Sequence, residues 1–346
     1  MATLKDLVTA ENIAVYWNEL STLRRPYFGL SKFPEDKQLG IELSWIKGAS
    51  SVPVQLMPSA FDANVIPLSR QGFEMNSGEM PFFKNSRTIN EKQRQELNIV
   101  LQSNNAAVRD MILRRIFDDA AQLIEYADAT REAMRMQLLT TGQVVISGNG
   151  VKRTINYGMK STQKETLSTK KWSDPTTSQP IADITRWQRT IARATGETPT
   201  EILMNSTTFG YLVESDAIKK AIYVLADGAI TPSEEEAKAF IERRTKATIF
   251  VYDKGYKNDS GAFVPFVPDN VVTLMPSSAV GKTWFGTSPE ESDLMGSGVA
   301  NVRIVDTGVA VTTTLKTDPV NVETKVSQIC LPSGENIDKV FIGTVA

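Results

Sequence analysis

Between about Asn104 and Thr140, apolar residues recur at Val108, Ile112, Ile116, Ala120, Leu123, Ala127, Met134 and Leu138, and neither proline nor glycine interrupts them. Steps of three, four and seven residues put these side chains on one helix face. The opposite face carries Asp110, Arg114, Asp118, Glu125 and Glu132, with Asp110 and Asp118 each one turn from Arg114. At 1.5 Å per residue the predicted helix is roughly 55 Å long, against a usual length of about 11–12 residues. The stripe alone describes any solvated helix with a core side. Its length predicts a spine that crosses more than one structural unit.

The chain before this spine has a different texture. Residues 1 to about 35 carry a short amphipathic stretch, with Leu4, Leu7, Ile13 and Tyr16 among polar neighbours, then Arg24-Arg25-Pro26 and Phe33-Pro34. This reads as an arm. From Leu39 to Arg87, Pro53, Pro58, Pro67 and Pro81 break up β-rich pieces such as Ile41 to Ile46 and Val52 to Leu56. Proline is confined to strand edges, strand starts and bulges, so the pattern predicts a long, poorly covered strand excursion. Trp45, Phe61, Phe73, Phe82 and Phe83 within it would be an aggregation hazard on a lone subunit. They are therefore the candidate subunit-interface residues.

Past Gly142, the segments Gln143 to Ser147 and Val151 to Tyr157 flank Asn149-Gly150, a dipeptide suited to the positive φ angles of a two-residue hairpin turn. A polar loop is expected from Lys160 to Pro180. Helix and strand patterns then alternate from Ile181 to about Val305, which suggests an α/β or α+β unit. Its predicted parts are a helix with Ile184, Trp187 and Ile191 inward, stopped by Gly196, and a strand Glu201 to Met204. A helix to about Thr245 follows, opened by a capping box of Ser233 and Glu236, then strands Ala247 to Tyr252 and Phe263 to Leu274. The tail from Val302 to Val345 is again β-rich, with no internal repeat anywhere.

Composition narrows the possible chemistry. The 346 residues are 41% hydrophobic and 23% charged, enough to fold into two or three units. Lys and Arg number 38 against 40 for Asp and Glu, without the basic excess of a dedicated nucleic-acid binder. Histidine is absent, which removes the side chain most used for proton transfer near neutral pH and for transition-metal binding. The single cysteine, Cys330, excludes an internal disulfide and reads as a small buried hydrophobe. Acids near the N-terminus argue against a secretory signal, and no span reaches the ~20 apolar residues of a membrane helix. A soluble protein made in the cytoplasm is expected.

The one stretch resembling an enzymatic motif is Pro276-Ser-Ser-Ala-Val-Gly281-Lys282-Thr283, which ends like a phosphate-binding loop. Its first position fails, because proline lacks the backbone N–H and the flexibility that the motif takes from glycine. Consecutive acids at Glu234 to Glu236 and at Asp118-Asp119 point in different directions on a helix and do not converge on a metal. The basic pairs Arg114-Arg115, Lys170-Lys171, Lys219-Lys220 and Arg243-Arg244 are scattered. No catalytic, cofactor-binding or metal residues are assigned, and no cofactor is expected.

In the order arm, strand loop, long helix, hairpin, α/β unit and β tail, the chain resembles the lambda-like major capsid proteins of tailed phages, which have the HK97 fold. Gly72-Phe73-Glu74, Met80-Pro81-Phe82-Phe83-Lys84 and Thr88-Ile89-Asn90 look like that family's passage from strand loop to spine. Phe266 to Leu274, with Gly281 and Trp284-Phe285-Gly286, looks like its proline-aspartate-asparagine strand and aromatic-glycine sequel. The resemblance implies an α+β chain with an N-terminal arm at 1–35, an extended loop at 36–86, and a peripheral domain with the spine at 87–180. It also implies an axial domain at 181–305 and a C-terminal β segment at 306–346 that completes the core. The implied function is a non-enzymatic major capsid protein, assembling as hexamers and pentamers into the icosahedral virion shell. Implied partners are a separate scaffolding protein, since no large charged helical extension precedes the arm, a portal, a possible decoration protein and non-specifically held double-stranded DNA. Two alternatives predict different particles: an encapsulin-type nanocompartment shell, and a soluble P-loop phosphotransferase.

Overall fold

The chain builds two hydrophobic cores, and one long helix supplies its apolar face to the first of them. The structure, a computed structural model, describes residues 8–21, 26–46, 75–92, 94–95, 99, 106–148, 150–226, 228, 230–258, 260–298, 300–318 and 320–346. The arm supplies helices α1 (Ala10–Ser21) and α2 (Phe28–Lys32), followed by strand β1 (Glu35–Lys37). Next come β2 (Glu42–Ile46), β3 (Met75–Glu79) and β4 (Phe82–Ile89). The spine is α3 (Ala106–Thr141), 36 residues and therefore about 54 Å long. It stops at Gly142, which has φ +74 and whose N–H donates to the Leu138 carbonyl. A side chain there would also collide with the Met159 sulfur.

Along the spine, the predicted stripe turns inward at Ala120, Leu123, Ala127, Met134 and Leu138. Its polar side does not stay outside. In the C-terminal half Arg131, Glu132 and Arg135 are buried as well, and Glu132 is 0% exposed. This corrects the expectation that Glu132 faces solvent. The helix leaves the surface there, packed by the arm and by sheets, and none of its residues from Arg131 to Thr140 is fully exposed.

After the spine, β5 (Gln143–Gly148) and β6 (Val151–Asn156) form the predicted hairpin, with Gly148 opposite Val151 and Gly150 at φ +79. The expected loop at 160–180 contains β7 (Lys164–Thr166), and it buries Trp172 completely. Three residues that pair with a strand far along the chain leave no local pattern to read. Then follow α4 (Pro180–Thr195), β8 (Glu201–Met204), α5 (Ser206–Glu214), α6 (Asp216–Ile222), α7 (Glu234–Thr245) and β9 (Thr248–Val251). Gly196, at φ +80, caps α4.

The strand expected from Phe263 to Leu274 is two strands, β11 (Phe263–Pro265), paired with β10 (Gly255–Lys257), and β12 (Val271–Met275). Pro265 and Pro268 lack the N–H a continuous ladder needs, and Asn270 takes φ +66 between the two. The chain ends through β13 (Thr283–Phe285), β14 (Asn301–Val305), β15 (Val309–Thr317), β16 (Val320–Pro332) and β17 (Phe341–Thr344).

A six-stranded sheet runs β1-β13-β16-β15-β14, with β4 also paired to β16. The thirteen-residue β16 is its backbone, and β4 lies antiparallel to it from Ile89 opposite Val322 to Phe82 opposite Ile329. So β4 is not part of a bare excursion. It is a strand of this sheet, while β2 and β3 form a ribbon of their own. A second sheet runs β7-β17-β12-β8-β9. Its core stacks Trp187 between Trp172, at 5.9 Å, and Phe341, at 5.4 Å, beside Ile184 and Ile191. Strands β13 and β14 lie in the first sheet, so the chain leaves the second core soon after Met275.

The predicted capping box closes α7: the Ser233 hydroxyl accepts from the Glu236 N–H, and the Glu236 carboxylate accepts from the Ser233 N–H at 2.9 Å. Replacing Ser233 with alanine is expected to cost about 1 kcal/mol in chemical denaturation. No measurable change would mean that the cap contributes nothing.

Candidate subunit interface

The candidate interface aromatics fall into different environments. On β2, Leu43 and Trp45 point inward while Glu42 and Ser44 face water, the alternation a half-buried strand imposes. Trp45 is only 5% exposed, stacked on Tyr157 with ring centroids 5.2 Å apart, and the Tyr157 hydroxyl donates to the Pro332 carbonyl at 2.6 Å. The expectation that Trp45 is bare is thereby corrected: the chain after the hairpin covers it. Phe83 is half-buried and packs on the first core. Its neighbour Phe82 points the other way and is 40% exposed. Phe61 and Phe73 lie outside the described residues.

Beside Phe82, the Met80 N–H donates to the Ile41 carbonyl at 2.7 Å, which brings the β2–β3 ribbon's base to the start of β4. Ile41 is exposed, and Leu39, across Gly40 from it, is 92% exposed. Leu39, Ile41 and Phe82 thus form an apolar edge at the ribbon base. The sequence placed both residues in the strand excursion, Ile41 at the start of a β-rich piece, but singled out only its aromatic residues as interface candidates.

Beneath this surface, buried charges tie the arm to the spine. Arg131 bonds Glu35 at 3.2 Å, Asp128 one turn back, Asp306 at 3.4 Å and the Gln328 side-chain oxygen at 2.8 Å. Arg135 bonds the same Glu35 oxygen at 2.9 Å and donates to the Thr283 hydroxyl at 2.8 Å. Glu132 accepts from the Gly29 N–H at 3.0 Å and from the Tyr252 hydroxyl at 2.9 Å. Burial pushes the Glu35 carboxyl up, but the Arg131 and Arg135 guanidiniums and the Thr307 hydroxyl overcome it, leaving its pKa lowered. At Asp128 burial wins over Arg131, helped by repulsion from Asp306 and Glu35, and the pKa is pushed up to about 6. Burial raises Glu132 against the pull of the Gly29 N–H and Arg135.

This cluster is structural. None of its members lines the groove between residues 179–189, 217–221 and 240–244, and among the described residues no group of three acidic, histidine or cysteine side chains could hold a metal. In the stretch resembling a phosphate loop, the Pro276 and Ser277 carbonyls accept from the Lys32 ammonium at 3.0 Å each, and the Val280 N–H donates to the Lys32 carbonyl. Carbonyls face the cation, and strand β13 follows where a phosphate site needs a helix. Cys330 is buried, and burial pushes its thiol up to about 12. Among the described residues, no helix is long and apolar enough to cross a membrane.

Residues 9–345 match the family model described as phage major capsid protein E. The chain belongs to the phage major capsid protein E family. Its fold is similar to that of the candidate capsid protein of a prophage of E. coli CFT073, at 14% identity and TM-score 0.61, covering 98% of this chain and 99% of that one. A phage-related protein from Bordetella bronchiseptica RB50 follows at 11% identity and TM-score 0.58, covering 98% and 97%. The capsid asymmetric unit of cyanophage A-1(L) has 12% identity and TM-score 0.50, covering 92% of each. No curated protein matches the sequence. The phage major capsid protein E family is one of structural proteins, and its members form shells. The HK97-like α+β fold expected from the order of elements is the fold observed. In this capsid protein, the features that bear on function are therefore its surfaces.

Proposed function

We propose that this capsid protein assembles as hexamers and pentamers into an icosahedral virion shell around double-stranded DNA. The extended ribbon reaches a neighbouring subunit, the first core is the peripheral domain, and the second core, around Trp187, is the axial domain. The observation that supports this best is the family match across residues 9–345, on a chain that keeps an apolar edge bare at Leu39, Ile41 and Phe82. A neighbouring subunit covers that edge. Many modest contacts of this kind, made together, hold a closed shell. A separate scaffolding protein and a portal are its assembly partners in the host cytoplasm. The near-neutral charge of the chain, formally -2, suits weak and salt-sensitive contact with packaged DNA.

Negative-stain microscopy and sedimentation of the purified chain, with and without a co-expressed scaffold, test this directly. Closed particles are expected, and a stable monomer at high concentration under both conditions would refute it. Phe82→Asp removes an exposed ring without touching either core. Its expected result is a several-fold lower particle yield with an unchanged thermal midpoint, and an unchanged yield would remove Phe82 from the interface.

A further inference from the structure

The second core carries both an apolar finger and an apolar groove on its outer side. The finger follows α6: Val224 is 77% exposed, Leu225 is fully exposed and Ile230 is half exposed. One bare leucine needs no explanation, but three aliphatic side chains within seven residues form a patch that water disfavours. The groove, of about 740 Å³, lies between α4, α6 and α7, floored by Ile181, Ala182, Ala217, Ala221 and Phe240. Three alanines in that floor leave room for side chains the groove does not itself supply. Arg189 and Arg244 line it too.

The chain's own finger lies elsewhere. Gly228, within it, sits against Lys220 and Asp216, so that an added Cβ would come within 3.3 Å of the lysine side chain. Positions 216 and 220 share one face of α6, and Ala217 and Ala221, which line the groove, lie about 100° round the helix. The finger also leads into exposed Glu234 and Glu235, opposite in charge to the arginines of the groove.

We propose that the finger of one copy seats in the groove of the next. Val224 and Leu225 occupy the alanine-lined floor, and Glu234 and Glu235 face Arg189 and Arg244. The two surfaces are different parts of one chain, so the contact runs head to tail and closes into a ring where the rotation between copies permits. The inference rests on the shell reading and assigns the contact within its rings.

Cysteines placed at Leu225 and Ala182 test it, since the native Cys330 is buried and silent. Oxidised at assembly concentration and run denatured without reductant, the double variant is expected to give a covalent ladder that passes the dimer. Ala182→Cys alone should stay monomeric, and Leu225→Cys alone should go no further than a dimer. No cross-link, a cross-link within one chain, or a ladder that stops at the dimer in the double variant would overturn the finger-in-groove contact. Leu225→Asp supplies an independent reading. Its side chain is fully exposed in the subunit, so the thermal midpoint should hold while the concentration needed for assembly rises about tenfold or more. Unchanged assembly would also overturn the proposal. If the wild-type chain itself forms no particles, it is the shell reading that has failed.

Discussion

Arg131→Met is expected to destabilise the subunit by about 3–5 kcal/mol, the usual cost of removing one partner from a buried ion pair. Arg131 is 4% exposed, and Glu35, Asp128 and Asp306 converge on it. Methionine fills much of the same space over the Phe285 ring, which lies 5.3 Å from the guanidinium carbon, so lost packing contributes little. What remains is electrostatic: three carboxylates lose their common cation, while Glu35 keeps its ion pair with Arg135. Gln328 also loses a donor, although its amide still donates to the Ala127 carbonyl at 3.0 Å. Urea denaturation below the assembly concentration measures the loss. Arg131→Lys is expected to fall between wild type and methionine, because an ammonium restores the charge but not the planar fork that reaches several acceptors. A loss under about 1 kcal/mol for the methionine variant would show that the cluster does not hold the arm to the spine.

This cluster was also the part of the molecule least legible in the sequence. The 3.6-residue stripe predicted the spine because periodicity is a local property, and the Ser233–Glu236 box and the Asn149-Gly150 turn were legible because each lies within four residues. By the same periodicity Glu132 belonged to the wet face. Its burial depends on Gly29 and Tyr252, which approach from remote parts of the chain. The pairing of β4 with β16 joins Phe82 to Ile329, and the cover over Trp45 comes from Tyr157. An aromatic residue on a proline-broken strand reads as bare when the residue that covers it lies a hundred positions away. Phe82 and Trp45 looked alike in the sequence, and only the β4 and β2 registers separate the exposed ring from the buried one.

The second large effect is a pH dependence that Asp128→Asn should abolish. Arg131 and Arg135, with Lys254 acting on Glu132 from farther off, face Glu35, Asp128, Glu132 and Asp306. Three cations do not balance four poorly hydrated carboxylates, and the protons stay where burial is least compensated. At Asp128 the pKa rises from 3.8 to about 6 in the folded subunit. Between those values the folded chain keeps a proton that the unfolded chain has released, so stability falls as pH rises through the interval. The full difference corresponds to about 3 kcal/mol. Glu35 works in the opposite sense: its lowered pKa gives stability above its ordinary value of 4.5, lost on acidification. Subtracting the wild-type curve from that of Asp128→Asn removes most of the Glu35 contribution, since Glu35 is present in both proteins and only its repulsion by Asp128 differs. Asparagine mimics the neutral acid, so the variant should match wild type near pH 4 and exceed it by up to about 3 kcal/mol above pH 7. Parallel denaturation curves from pH 4 to 8 would show that Asp128 is ionised throughout and that Arg131 outweighs its burial.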